Sequence, residues 1–155
     1  IKVHITNSAK TPLLNYSKES IFKLFVFDVG ILGCMMNLSP KAIMEYQYGS
    51  YKGYFAENYV AQAFSSAFNA PLFSWTEKKS ELEYLLDFDG KIIPIEVKSG
   101  CITHSKSLLS FTQKYHPQYQ IILSGKNLEV NSSKKLIYLP LYTAGLLPLE
   151  SLFTS

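Results

Sequence analysis

Residues 81–100 read ELEYLLDFDGKIIPIEVKSG. Asp89-Gly90 stands between two runs of alternating character, and this dipeptide is a strong hairpin signal because a type I′ turn needs positive φ at both central positions. The turn sets the register. With Phe88 facing Lys91, Glu83 faces Glu96 and Glu81 faces Lys98, and strand alternation gathers these four on one side of the pleat. The other side carries Leu82, Tyr84, Leu86 and Phe88 against Ile93, Ile95 and Val97, an apolar core face. Like charges opposite one another weaken a strand pair, so Glu83 against Glu96 asks for a cation, either Lys98 or a metal. The plainer reading is a solvent-facing hairpin side whose charges pair among themselves at roughly 0–1 kcal/mol per pair. The sharper one is a divalent-metal site: carboxylate oxygens suit Mg²⁺ or Mn²⁺, and a neighbouring lysine orients water or steadies developing phosphate charge.

The flanking sequence builds an α/β (α+β) domain around this hairpin. From about Ser50 to Asn69, Phe55, Tyr59, Val60, Ala63, Phe64, Ala67 and Phe68 recur at three- and four-residue steps, which predicts an amphipathic helix stopped by "NAP" at 69–71. Strands are expected at 72–76, 81–88 and 91–98, then a helix near 105–116 ended by Pro117, and further strands at 119–124 and 134–140. The order from residue 50 to 124 is therefore helix, strand, strand, strand, helix, strand. Upstream, residues 2–6 alternate as a short strand, 7–20 read as a polar connector, and "FKLFVFDVG" (22–30) is an apolar run ending in turn chemistry at Asp28. Ser39-Pro40 opens a short helical piece. Nothing repeats, and no apolar run approaches the ~18 residues of a membrane span.

The charge balance narrows the partners. All fifteen cations are lysines, and six of the twelve acids fall between residues 77 and 96. Without arginine the chain lacks the usual bidentate reader of guanine, and its scattered lysines make nucleic-acid affinity weak and salt-sensitive. Charged residues make up only 17% and aromatic residues 14%. Typical chains carry about 25% charge, so some apolar surface is expected to face a partner, another domain or a second copy in a homo-oligomer. Two cysteines and no secretory segment point to a reduced, cytoplasmic protein. His4, His104 and His116 have no metal-ligand spacing with either cysteine.

Glu57 falls on the helical row 57, 61, 64, 68, otherwise occupied by Ala61, Phe64 and Phe68. A carboxylate there is either a border residue near the helix start or a member of the acidic site. Lys106, after Ser105 as N-cap, is simplest as an exposed first-turn lysine and second as a phosphate contact. Glu81 stands beside it in that second rank.

The order of elements, with an acid on the second strand and Glu-x-Lys on the third, resembles the PD-(D/E)XK restriction-endonuclease-like core. Five segments together carry a wider resemblance: "FKLFVFDVGILG" (22–33), "YKGYFAENYVAQ" (51–62), residues 81–100, "KSLLSFTQKYHPQ" (106–118) and "LIYLPLY" (136–142). They resemble the C-terminal domain of unknown function, of the 4143 type, that follows an AAA-type ATPase module and a winged helix in bacterial and archaeal ATPases. The resemblance implies a winged-helix tail and linker at 1–20 and the nuclease-like domain at 21–155, with the ATPase and winged-helix domains as partners in one parent chain. It implies Glu57, Glu83, Glu96 and Lys98 as the catalytic set, Glu83 and Glu96 as holders of Mg²⁺ or Mn²⁺, and nucleic acid as the substrate. One departure bears on activity. The family has Asp where this chain has Glu83, reading "E-L-E-Y" for a pattern like "E-I-D-F", and the longer arm implies weak or lost catalysis, since Mg²⁺ demands near-ideal geometry at about 2.0–2.1 Å. "SGKN" (124–127) lacks the first glycine and the Ser/Thr of a nucleotide-binding P-loop, so ATP binding is not expected of these residues. The reading from a different class is a non-catalytic interaction or oligomerisation module of the ATPase.

Overall fold

A computed structural model describes residues 1–101 and 104–147. Its centre is an eight-stranded mixed sheet in the order β2-β1-β3-β4-β5-β6-β8-β7. In chain order the elements are β1 (Lys2–Thr6), β2 (Ser17–Leu24), α1 (Val29–Met35), α2 (Pro40–Met44), α3 (Lys52–Ala67), β3 (Leu72–Glu77), β4 (Ser80–Phe88), β5 (Lys91–Val97), α4 (Lys106–Tyr115), β6 (Gln120–Ser124), β7 (Glu129–Asn131) and β8 (Leu136–Pro140). The expected order around the hairpin is the observed one, α3-β3-β4-β5-α4-β6. The final residues of the expected domain, 148–155, lie outside the described residues.

Helices cover both faces of the sheet, which is why the central strands are apolar on both sides. On one face Val60 and Phe64 of α3 pack on Tyr84, Ile95 and Ile121. On the other, Leu108 and Phe111 of α4 pack on Trp75, Leu82, Leu85 and Ile122. Each core has an aromatic contact at its centre: Phe64 meets Tyr84 edge-on at 5.2 Å, and Phe111 meets Trp75 at 5.1 Å and 89°. This second layer corrects the expectation of a solvent-facing hairpin side.

Local signals fix most of the boundaries. Asp89 and Gly90 sit at φ 52° and 75°, as the tight turn requires. Asp28, Ser39 and Ser105 cap α1, α2 and α4 by accepting the N–H of Ile31 (3.0 Å), Ala42 (3.1 Å) and Leu108 (3.0 Å). The expected division at residue 20 does not coincide with a break in the structure. β1 lies between β2 and β3, running parallel to β3 with Val3 opposite Leu72, and Val3 is fully buried. The stretch 7–20 is likewise more than a connector, since β2 begins at Ser17 and runs antiparallel to β1.

Two side chains of α3 hold the segment between β2 and α1. Asn58 is buried and bonds both the N–H and the C=O of Val26 at 2.8 Å, while Gln62 accepts the N–H of Val29 at 2.9 Å. A part-buried loop backbone that lacks sheet partners is satisfied here by amide side chains.

Candidate functional site

The hairpin register is the predicted one as far as Tyr84↔Ile95, and there the regular pairing stops. Pro94 has no N–H, so Tyr84↔Ile95, Leu86↔Ile93 and Phe88↔Lys91 are the hydrogen-bonded pairs of the ladder. The next such pair would be Leu82↔Val97. Instead, the Val97 N–H goes to the Glu83 carboxylate at 3.0 Å. The other side of β4 shows why. Phe73 faces Leu85 and Trp75 faces Leu82, so two steps on β3 match three on β4, a β-bulge that sets Glu83 and Tyr84 opposite Ser74. The bulge turns Leu82 into the core under α4 rather than the α3 face that strict alternation predicts.

Four of the sequence candidates meet at this break. Glu96 is 3% exposed on β5, and its Oε1 lies 2.5 Å from the Lys98 Nζ. Its other oxygen, Oε2, is buried without a hydrogen-bond partner. Glu83 is partly buried beside it. Burial first and then the charge of Glu96 push the Glu83 carboxyl up to about 8, against the pull of the Val97 N–H. Glu57, on α3, is raised as well, by burial and by the charges of Glu81 and Glu96, with Lys23 and Lys98 opposing. For Lys98, burial works to lower the pKa, but its hydrogen bond to Glu96 and the charges of Glu96, Glu83 and Glu57 outweigh that and keep the ammonium charged. Tyr84 ties the helix to the hairpin: its hydroxyl donates to the Glu57 carbonyl at 2.7 Å.

Glu81 and Lys106 stand apart from this centre. Glu81 does not face Lys98, because the ladder has already parted. Its carboxylate pairs with Lys23 of β2, and its N–H goes to the Ser107 hydroxyl at 3.2 Å. Lys106 is an exposed first-turn residue of α4. Lys23 itself carried no functional signal in the sequence, being one lysine in an apolar run.

Three carboxylates, two of them inclined to hold a proton, and one ammonium make a compact set of proton donors and acceptors. Among the described residues no three His, Cys, Asp or Glu side chains gather as a metal cage. A cation here would draw on two carboxylates at most, which is the number Mg²⁺ commonly takes from protein, the rest of its shell coming from water and phosphate. The unpartnered Glu96 Oε2 is an acceptor that fits such an occupant.

Fold and site together define a three-layer α/β domain with a buried acid and lysine centre where two strands part. The model of the family described as "Domain of unknown function (DUF4143)" matches residues 52–142, more than half of the chain, and the protein belongs to that family. Glu57, Glu83, Glu96 and Lys98 all lie inside the match. No curated protein and no solved structure matched the chain.

Proposed function

We propose that this is the nuclease-like C-terminal domain of an AAA-type ATP-binding protein, binding nucleic acid through a divalent-metal site whose catalysis is weak or lost. The observation that carries the reading is the meeting of Glu83, Glu96 and Lys98, beside Glu57, at the parted end of the hairpin, within the element order of a PD-(D/E)XK core. Glu83 and Glu96 would hold Mg²⁺ or Mn²⁺. When bound, such an ion supplies the charge that activates water and offsets negative charge on a phosphate. Lys98, charged and anchored on Glu96, orients a phosphate oxygen, and Glu57 holds or releases a proton behind it. Three features weaken catalysis: the longer arm of Glu83, the proton it retains near neutrality, and the ion pair that already occupies one oxygen of Glu96.

Calorimetric titration of the 155-residue chain with Mn²⁺, beside cleavage assays on DNA and RNA, tests this. Binding should strengthen between about pH 7 and about pH 9 as Glu83 loses its proton. Absence of Mn²⁺ heat at both values together with absence of cleavage would overturn the nuclease-like reading.

A second reading, an interaction or oligomerisation module of the ATPase, is favoured by one observation. Leu24, Phe27, Met35, Met44 and Tyr54, spread over edge strand β2, the segment after it, the short helices and the start of α3, are each at least 65% exposed. Exposed apolar surface of this kind marks contact sites. Light scattering on the chain separates the readings: self-association that Met44→Lys abolishes supports the module, and a monomer at all concentrations removes its homo-oligomeric form.

A further inference from the structure

β5, β6 and β8 are parallel neighbours, so their carboxyl ends, at Val97, Ser124 and Pro140, open on the same side. In open sheets ligands bind in the crevice outside such ends. A cavity of about 470 Å³ lies there, within the about 300–1,000 Å³ of small-molecule sites. Ser99, one residue beyond Lys98, forms part of its wall, and Gly125 bonds to the carbonyl of Gly100 at 3.1 Å, so the cavity adjoins the acid and lysine centre. A Cβ at residue 125 would lie in van der Waals contact with Gly100 backbone and the Cys101 sulfur at 3.4 Å, so the two turns pack closely at this wall.

The lining is chemically specific. Tyr46, Tyr48, Phe55, Tyr59 and Tyr142 supply aromatic surface, and Lys52 and Lys126 are the cations. Each lysine lies over a ring, Lys52 at 5.3 Å from Tyr46 and Lys126 at 4.4 Å from Tyr138. Tyr142 is 75% exposed and Tyr46 57% exposed, so neither ring is spent on the core. Sequence alone favours core roles for tyrosines at helical and strand spacing, and these two at the rim depart from that.

We infer that this cavity takes an unpaired nucleobase with its adjoining phosphate, and that single-stranded nucleic acid is the class of ligand the domain holds. Flat rings that stack a base without reading its edges, with lysines placed for backbone charge, are the two components of sequence-tolerant single-strand binding. The inference deepens the proposed function and rests on its nucleic-acid reading, but it needs no metal. A strand seated in the cavity passes Ser99 and brings its next phosphate toward Lys98.

The test is fluorescence anisotropy with a labelled oligo-dT and with a duplex of the same length, in EDTA, on the whole chain. Single strands should bind and duplex more weakly. Tyr142→Ala should weaken single-strand binding about tenfold, Tyr142→Phe should leave it unchanged, and Lys52→Gln should lessen its salt dependence. Leu146→Ala, an exposed residue outside the cavity, serves as the control. Equal affinity for duplex, or wild-type affinity in Tyr142→Ala, overturns the inference, even if Mn²⁺-supported cleavage stands. Loss on Tyr142→Ala, with neither Mn²⁺ heat nor cleavage, upholds it while the nuclease-like metal-site reading fails.

Discussion

The Glu83 carboxylate takes the N–H of Val97 at 3.0 Å, in the place that a continued ladder would give to the carbonyl of Leu82. One side chain thus closes the hairpin backbone and belongs to the acidic centre, and the two duties are separable by substitution. Glu83→Gln keeps an acceptor for Val97 and is neutral, as Glu83 itself mostly is near pH 7. It should leave stability near pH 7 within about 1 kcal/mol of the parent, whereas Glu83→Ala, which orphans the N–H, should cost about 1–3 kcal/mol. Urea denaturation of both variants checks this, and equal losses would show that the hydrogen bond is immaterial.

Stability should fall with rising pH across the same site. Glu83 titrates near 8 in the folded protein but near the ordinary 4.5 when unfolded. Between those values the native state holds a proton that the unfolded state has released, so unfolding becomes easier as pH rises, and the slope vanishes above about 8. Glu57, raised in the same sense, adds to the trend. Calorimetric Tm values from pH 5 to 9 should decline and then level in the parent and be flatter in Glu83→Gln. A rise over that interval would contradict the site electrostatics.

Lys98 neutralises an acid that is almost wholly buried. Its side chain retains 32% exposure while that of Glu96 has 4%, so Lys98→Met should destabilise by about 2–3 kcal/mol, less than the about 3–5 of a wholly buried pair. Combining it with Glu96→Gln should recover most of the loss. A double-mutant cycle by chemical denaturation measures the coupling, and simple additivity would mean that the ion pair contributes nothing.

Asn58 bonds both polar groups of Val26 from inside the protein. Asn58→Ala should cost about 2–3 kcal/mol by leaving both groups unsatisfied, and Asn58→Asp, which loses the donor and adds a charge, should cost at least as much. Thermal unfolding reads both, and a change under about 0.5 kcal/mol would place water rather than Asn58 as the working partner.

The legible parts of the fold are those that short-range chemistry dictates. Asp89-Gly90 specifies its turn and therefore the pairing from Phe88 to Tyr84, and serine or aspartate before an apolar run specifies a helix start. The turn register, with Glu96 and Lys98 two residues apart on β5, was enough to bring Glu83, Glu96 and Lys98 together. What the hairpin sequence does not contain is its neighbour β3, whose pairing inserts the bulge at Glu83 and Tyr84, turns Leu82 over and releases Glu81 to Lys23. Burial of the second hairpin face was hidden for a similar reason, because the hairpin residues do not show on which face of the sheet the next element, α4, packs. Asn58 and Gln62 read as ordinary polar positions in an amphipathic helix, since the backbone they satisfy lies more than thirty residues away in sequence.

The placement of β1 has a consequence for biosynthesis. Val3 leaves the ribosome well before its parallel partner Leu72, which follows only after β2 and three helices. At synthesis rates of roughly 5–20 residues per second, the nascent β1–β2 ribbon waits several seconds with one edge open. Ile21, Phe22 and Leu24 are solvent-facing on β2 even in the finished fold. Over that interval an early holding factor or a slow translational pause would decide how much chain reaches the sheet, and the yield of folded protein should depend on temperature during synthesis more than on the stability of the product.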